Sequence, residues 1–252
     1  MTGTPTSYLT EVQSRLERLT ADAEAGALDP AIDLMVGALA AGGVIHAFGT
    51  GHSQAFVMEI SGRAGGLIPT NGIALRDVVL HGTRDASLLA GGLLERDASI
   101  VDELIALTPI GEGDVFLVAS NSGVNGSIVG VALAIKDLGH KVIAVTSLEH
   151  TNAVTPKHPS GKRLAEIADV VIDNLAPFGD STVPVGGSGV LAGAVSSITA
   201  AYIAQILTLG TSARIQEAGE TPPLYLSANI PGGDEHNDAL KARYGERIGS
   251  MA

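Results

Sequence analysis

An α/β domain built on a parallel sheet is what this sequence predicts, on three observations. Short, uninterrupted apolar runs recur at residues 44–48, 114–119, 141–145 and 169–173. Helical stretches separate them, and the first three runs end in loops rich in Gly, Ser and Thr. Parallel strands covered on both faces read as such runs, and alternation with helices is the mark of βαβ units. No Pro/Gly/Ser-rich linker divides the 252 residues and no fixed-period repeat runs through them, so one domain is expected.

The elements follow in order. Leu9, Val12, Leu16 and Leu19 recur at three- and four-residue steps, one apolar helical stripe. Asp29 stands as an N-cap with Pro30 at the first helical position. Ile32, Met35, Val36 and Leu39 carry that helix until Gly42-Gly43 stops it. The run 44–48 leads into Gly49-Thr50-Gly51-His52-Ser53, and a helix over 54–63 follows, ended by Gly65-Gly66. The stretch 67–94 holds one or two more strands, at 67–70 and 74–80. The run 114–119 ends in Ser120-Asn121-Ser122-Gly123 before a helix over 125–138. After Gly139 the run 141–145 ends in Thr146-Ser147, and a helix over 162–168 precedes the run 169–173.

Residues 181–213 carry no charge for 33 residues, which meets the length of a membrane span. Gly186, Gly187, Ser188, Gly189, Ser196 and Ser197 make the segment small and mildly polar, and no aromatic belt or basic cluster flanks it. The expectation is a helix buried in the protein or in a subunit interface. The domain then reads as N-terminal helices over 1–43, a core over 44–213, and a C-terminal helical segment over 214–252 that completes it.

Composition excludes several function classes. With 15 Lys and Arg against 27 Asp and Glu, the net charge of −12 opposes a nucleic-acid backbone, and 3% aromatic residues offer few rings for base stacking. The absence of Cys rules out disulfides, thiolate nucleophiles, thiolate zinc sites and iron–sulfur clusters. Nothing in the first 18 residues resembles a signal peptide, so a cytoplasmic protein with neither nucleic acid nor membrane as partner is expected.

In doubly wound sheets ligands bind beyond the carboxyl ends of the strands. There the sequence places Gly51, His52 and Ser53, then Ser120, Asn121, Ser122, Gly123 and Asn125, then Thr146 and Ser147. Hydroxyl donors, close-approach glycines and helix amino ends suit a small anion. Ser, Thr and Asn also serve as ordinary helix caps, but two such loops after two strands favour an anion site. Nucleotide signatures do not fit. Gln54 occupies the third-glycine position of a dinucleotide fingerprint, Pro184 interrupts the strand that Gly187-x-Gly189-x-x-Ala192 would need, and Ser160-Gly161-Lys162 is not a P-loop. No cofactor is expected. For proton transfer the candidates are Glu59, six residues after Ser53, and the imidazoles of His81 and His236. His46, inside a strand, is expected as a buried and satisfied ring. Glu149, His150 and His158 lack the spacing of a metal motif, and no metal is expected.

The sequences GTGHS, SNSG and VTS, each after a strand, resemble the SIS (sugar isomerase) domain, whose members bind phosphosugars. Its second-loop signature, Ser-x-Ser-Gly-x-Ser/Thr, reads here Ser120-Asn121-Ser122-Gly123-Val124-Asn125, with Asn125 in place of the usual hydroxyl. The resemblance runs from about residue 44 to 209. With SLEHTNAV, HPSGKRL, DNLAPFGDS and SANIPGGDEHN, nearly the whole chain is similar to uncharacterised bacterial SIS proteins described as sugar isomerase-like. It implies a five-stranded parallel sheet in an αβα sandwich and a phosphate held by Ser53, Ser120 and Ser122. It also implies a homodimer or homotetramer with sites near subunit boundaries. Glu59-Ile60-Ser61-Gly62-Arg63 is similar to the Glu-Leu-Thr-Gly-Arg of phosphoheptose isomerases, which implies Glu59 as the base. The spacing from the loop is about one helical turn shorter here, and Ala55 stands where those enzymes carry a metal-ligand His.

The expectation is an aldose–ketose sugar-phosphate isomerase. Glu59 would move a proton between neighbouring carbons through an enediol, and His236 or His81 would move protons between oxygens. A non-catalytic phosphosugar sensor and an amino-sugar phosphate lyase or etherase are the alternatives.

Overall fold

The structure, a computed structural model, describes residues 3–187 and 189–248. Ser188 and residues 1–2 and 249–252, which fall in the expected segments above, lie outside the described residues. The chain opens with α1 (Pro5–Glu24), α2 (Asp29–Ala40), β1 (Ile45–Gly49), α3 (Gln54–Ile60) and β2 (Thr70–Ile73). Three short helices follow, α4 (Asp77–Leu80), α5 (Leu93–Arg96) and α6 (Val101–Leu107), then β3 (Val115–Ala119), α7 (Gly126–Asp137) and β4 (Lys141–Thr146). Next come α8 (Leu148–Ala153), α9 (Leu164–Ile167), β5 (Val170–Asp173), β6 (Ser181–Pro184) and β7 (Leu191–Ala194). The chain closes with α10 (Ser196–Glu217) and α11 (Gly233–Lys241).

The five expected parallel strands form one sheet in the order β2-β1-β3-β4-β5. Strand residues alternate between two cores because successive side chains point to opposite faces. Ile45, Ala47, Val115, Leu117, Ile143 and Val145 pack against α1, α2, α3 and α10. Phe48, Phe116, Val118, Val142 and Ala144 pack against α4 to α7 and α9. At ~1.5–3 kcal/mol for each fully buried large side chain, this two-faced burial is the main drive to fold.

His46 is buried, as expected, and stacks on Phe116 with centroids 4.7 Å apart. Its Nε2 donates to Asp114 Oδ2 at 2.9 Å and its Nδ1 accepts from Asn71 Nδ2 at 3.2 Å. Asp114 lies at the amino end of β3. Burial pushes its carboxyl up, but hydrogen bonds from His46, the Gly111 and Val44 N–H groups and Arg247 outweigh that and hold its pKa down at about 2.

Several elements differ from their sequence reading. Residues 74–80 do not form a strand: β2 lies at 70–73, and Val78, Val79 and Leu80 sit in the helical turn α4. Asp77 Oδ2 accepts from the Ala74 N–H at 2.9 Å, a side-chain bond that favours the turn. The helix after the first loop stops at Ile60, three residues early, where Ser61 turns extended. Asp29 is the first helical residue of α2, and Leu28 occupies the N-cap. Residues 181–187 and 189–194 are not helical. They form the antiparallel hairpin β6–β7, and the helix α10 starts only at Ser196. Past residue 217 the chain is helical mainly over α11. Before that it runs beside residues 65–68, Leu224 bridging Leu67 and Tyr225 exchanging backbone bonds with Gly65 and Gly66. Among the described residues no helix is long and apolar enough to cross a membrane.

Candidate functional site

Sheet register decides where the loops meet. Gly49, Ala119 and Val145 are successive register partners, so β1, β3 and β4 end at one level. The order 2-1-3-4-5 also puts the topological switch between β1 and β3, the place where open α/β sheets bind ligands. The GTGHS and SNSG loops flank that switch.

At Gly49 the first loop folds back over the strand end. A Cβ there would stand 2.6 Å from the Ser53 carbonyl oxygen and 2.9 Å from its carbon, so no other residue fits. In the second loop Ser120 Oγ accepts from the Gly123 N–H at 3.1 Å. Gly123 holds φ at +63°, where a Cβ would press on Thr146 and Thr151 Oγ1 at 3.1 Å each. The two loops open onto one cleft of about 410 Å3. Thr50, Gly51, His52, Ser53, Ser120, Asn121 and Ser122 line it, and Glu95, His150, Gly179, Asp180, Ser181, Ala194, Ser196 and Ser197 complete the wall.

Hydrogen bonding separates ligand-facing hydroxyls from structural ones. Ser147 is a helix cap: its Oγ accepts from the His150 N–H at 2.9 Å and donates to the Ala176 carbonyl at 2.6 Å, fully buried. Thr146 is also buried and donates to the Asn121 carbonyl at 3.3 Å, bracing the second loop from behind. Ser53 and Asn125 precede α3 and α7 but cap neither with their side chains. Among the described residues the Ser53 and Ser122 hydroxyls have no partner, and Ser120 Oγ only accepts, so all three keep a proton to donate.

The proton-transfer candidates are spread over three places. Glu59 is outside the cleft lining, on the side of α3 that packs on α10. Its Oε2 accepts from Arg63 and, at 2.8 Å, from Gln205 Nε2. His81 lines a separate groove of about 330 Å3 beside Asn71, Asp77 and Glu246. His236, in the first turn of α11, donates from Nε2 to the Leu224 carbonyl at 2.9 Å. His52 does line the cleft, on its exposed rim.

Three ionisable side chains of the cleft wall were not singled out from sequence as ligand-facing. Asp180 holds φ at +68°, and its carboxylate caps α10, accepting from the Val195 and Ser196 N–H groups at 3.1 and 2.8 Å and from Ser196 Oγ at 2.7 Å. His150 Nδ1 accepts from the Gly179 N–H at 3.1 Å, which leaves the neutral ring's proton on Nε2. Glu95 comes from α5. A carboxylate standing as the last charge before a charge-free segment was a usable signal for Asp180; Leu93-Leu94-Glu95-Arg96 carries none. Among the described residues no three His, Asp or Glu side chains converge as a metal ion would need.

A model of the SIS domain matches residues 7–147, more than half of the chain. The chain belongs to the SIS-domain family. The match runs from α1 through β4 and includes both hydroxyl loops. Among relatives, a UPF0309 protein of Halalkalibacterium halodurans is 37% identical over 203 residues, covering 81% of this SIS-domain chain and 82% of its own. A UPF0309 protein of Brucella canis is 34% identical over 247 residues, 98% of each chain. A phosphoheptose isomerase from Francisella tularensis superposes with a TM-score of 0.50 at 22% identity, covering 82% of this chain and 95% of that one, which speaks for the shared fold.

Proposed function

We propose that the cleft at the β1/β3 switch binds a phosphorylated sugar, and that the protein interconverts an aldose phosphate and a ketose phosphate through an enediol. One observation carries the binding half: Ser53, Ser120 and Ser122 come from two loops to one cleft, each with a hydroxyl proton uncommitted. Three neutral donors and nearby backbone N–H groups suit a phosphate without the cationic side chain that the lining lacks. Thr146, Ser147 and Gly123 support the second loop from behind, Asn121 and His52 face the ligand, and Asn125 reaches it through Glu95. Binding energy gathered at the phosphate would position the reacting carbons.

The isomerase half rests on the family and on a carboxylate, Glu95, in the wall of the same cleft; residues 59–63 are similar to the phosphoheptose isomerase pattern, but Glu59 stands outside the cleft lining. A homodimer or homotetramer is part of the reading, supported by the apolar side chains of Met58, Ile198 and Leu209, exposed by 62%, 38% and 69%. The test is calorimetric titration with inorganic phosphate and with hexose, heptose and amino-sugar phosphates, followed by NMR in D2O. Binding that the Ser53→Ala/Ser120→Ala/Ser122→Ala triple variant loses supports the cleft; binding that it retains overturns it. Deuterium incorporated beside the carbonyl supports isomerisation, whereas cleaved products point to a lyase and binding alone to a sensor.

A further inference from the structure

Two carboxylates line the cleft, and their commitments differ. Both oxygens of Asp180 are used in capping α10. Glu95 is held by one oxygen only. The amino end of α7 grips α5: Ser127 Oγ donates to the Glu95 carbonyl at 2.8 Å, and Asn125 Nδ2 donates to Glu95 Oε1. Glu95 Oε2 has no hydrogen-bond partner among the described residues. It faces the first loop, 3.5 Å from where a Cβ on Gly51 would stand. Asn125 Oδ1 is itself buried without a partner among the described residues, an uncompensated loss of hydration. That orphan follows from the direction of the amide, whose NH2 is kept on the carboxylate.

We propose that Glu95 is the proton-transfer group of this cleft and that Asn125 is its positioning residue, a proposal that rests on the phosphosugar reading. Asn125 stands where the family signature has a hydroxyl, and here that position serves the carboxylate. One anchored oxygen and one open to the cleft is the arrangement of a general base. A carboxylate on the Gly51 side also repels phosphate, so the phosphate lies toward Ser53, Ser120 and Ser122 and the sugar carbons lie toward Glu95. Glu95 Oε2 takes the proton from the carbon beside the carbonyl, the C–H electron pair becomes the enediol double bond, and the carbonyl oxygen takes a proton from water. Return of the proton held by Glu95 to the neighbouring carbon restores the carboxylate. The other oxygen gives up its proton to water to become the new carbonyl, so protons balance and the step needs no oxidant. Glu59, held by Arg63 and Gln205 outside the cleft, lacks this geometry.

The experiment follows deuterium exchange from D2O into fructose 6-phosphate, sedoheptulose 7-phosphate and glucosamine 6-phosphate by NMR, with inorganic phosphate and each sugar titrated in parallel. Glu95→Gln is expected to bind phosphate and sugar within about twofold of the unmodified protein and to lose at least ~100-fold in exchange. Asn125→Ser is expected to lower kcat about tenfold or more with KM and phosphate affinity unchanged, a split that general loosening of the fold does not produce. Should Glu95→Gln fail to fold, Glu95→Asp takes its place, folded and slower in exchange. Exchange at the unmodified rate in Glu95→Gln, or exchange lost in Glu59→Gln and kept in Glu95→Gln, overturns the proposal. Binding without exchange in the unmodified protein also overturns it and leaves the binding reading intact. If neither phosphate nor any sugar binds, the phosphosugar reading itself fails.

Discussion

Replacing Asp114 with Asn probes what holds the amino end of the sheet. Oδ1 accepts from the Val44 N–H at 2.7 Å and from Arg247, and Oδ2 accepts from the Gly111 N–H at 2.7 Å and His46 Nε2 at 2.9 Å. In Asp114→Asn one oxygen becomes an NH2 group that faces donors. His46 can relieve its own contact by moving its proton to Nδ1 if the Asn71 amide turns over, but a backbone N–H has no such freedom. An unpaired buried donor costs about 1–3 kcal/mol and a broken buried ion pair about 3–5 kcal/mol, so about 3 kcal/mol is expected at neutral pH. For a domain of this size that lowers Tm by about 6–12 °C.

The loss should depend on pH with a definite sign. Because the folded-state pKa is about 2 against an ordinary 3.8, ionisation of Asp114 contributes about 2 kcal/mol. That contribution is complete above about pH 4 and fades as pH falls through 2. The stability gap between the two proteins is therefore expected to be widest at about pH 5–7 and to narrow by about 2 kcal/mol toward pH 2. Urea unfolding followed by circular dichroism across that range measures it. A gap that is constant with pH, or smaller than about 1 kcal/mol at pH 7, would refute the reasoning.

Three further outcomes are expected. Gly49→Ala drives a Cβ into the backbone of Ser53 and should weaken inorganic phosphate binding at least about tenfold, read by calorimetry. Ser120→Ala removes a hydroxyl donor and the acceptor of the Gly123 N–H; phosphate affinity should fall by about 1–1.5 kcal/mol, and an unchanged titration would exclude this loop from the site. Asp180→Ala uncaps α10 and should destabilise by about 1–2 kcal/mol, visible as a lower melting temperature that Asp180→Asn partly restores.

Local chemistry made much of this molecule readable from its residues. Runs such as 114–119 and 141–145 are apolar throughout because both faces of a parallel strand are buried, and that signal needs no partner to be seen. The two loops were readable for the same reason, since their Gly, Ser and Asn sit together in the chain. Residues 74–80 were misread because Val-Val-Leu suits a strand or a helix, and only the Asp77 side-chain bond favours the turn. Residues 181–194 were misread because the absence of charge says nothing about period, and the hairpin exists through its cross-strand pairing.

The sequence by itself determined the fold class, the family and the two hydroxyl loops. Tertiary structure alone decided which side chains share the cleft. Glu59 is six residues from Ser53 in the chain, yet its helix carries it onto α10 and into the grip of Arg63 and Gln205. Glu95 lies far from both loops in sequence and reaches them because α5 docks on the amino end of α7. Thr146 and Ser147 look like ligand groups in a string of letters, and in space they are buried supports. Periodicity and capping are written over a few residues, whereas a cleft is made by packing between elements distant in the chain.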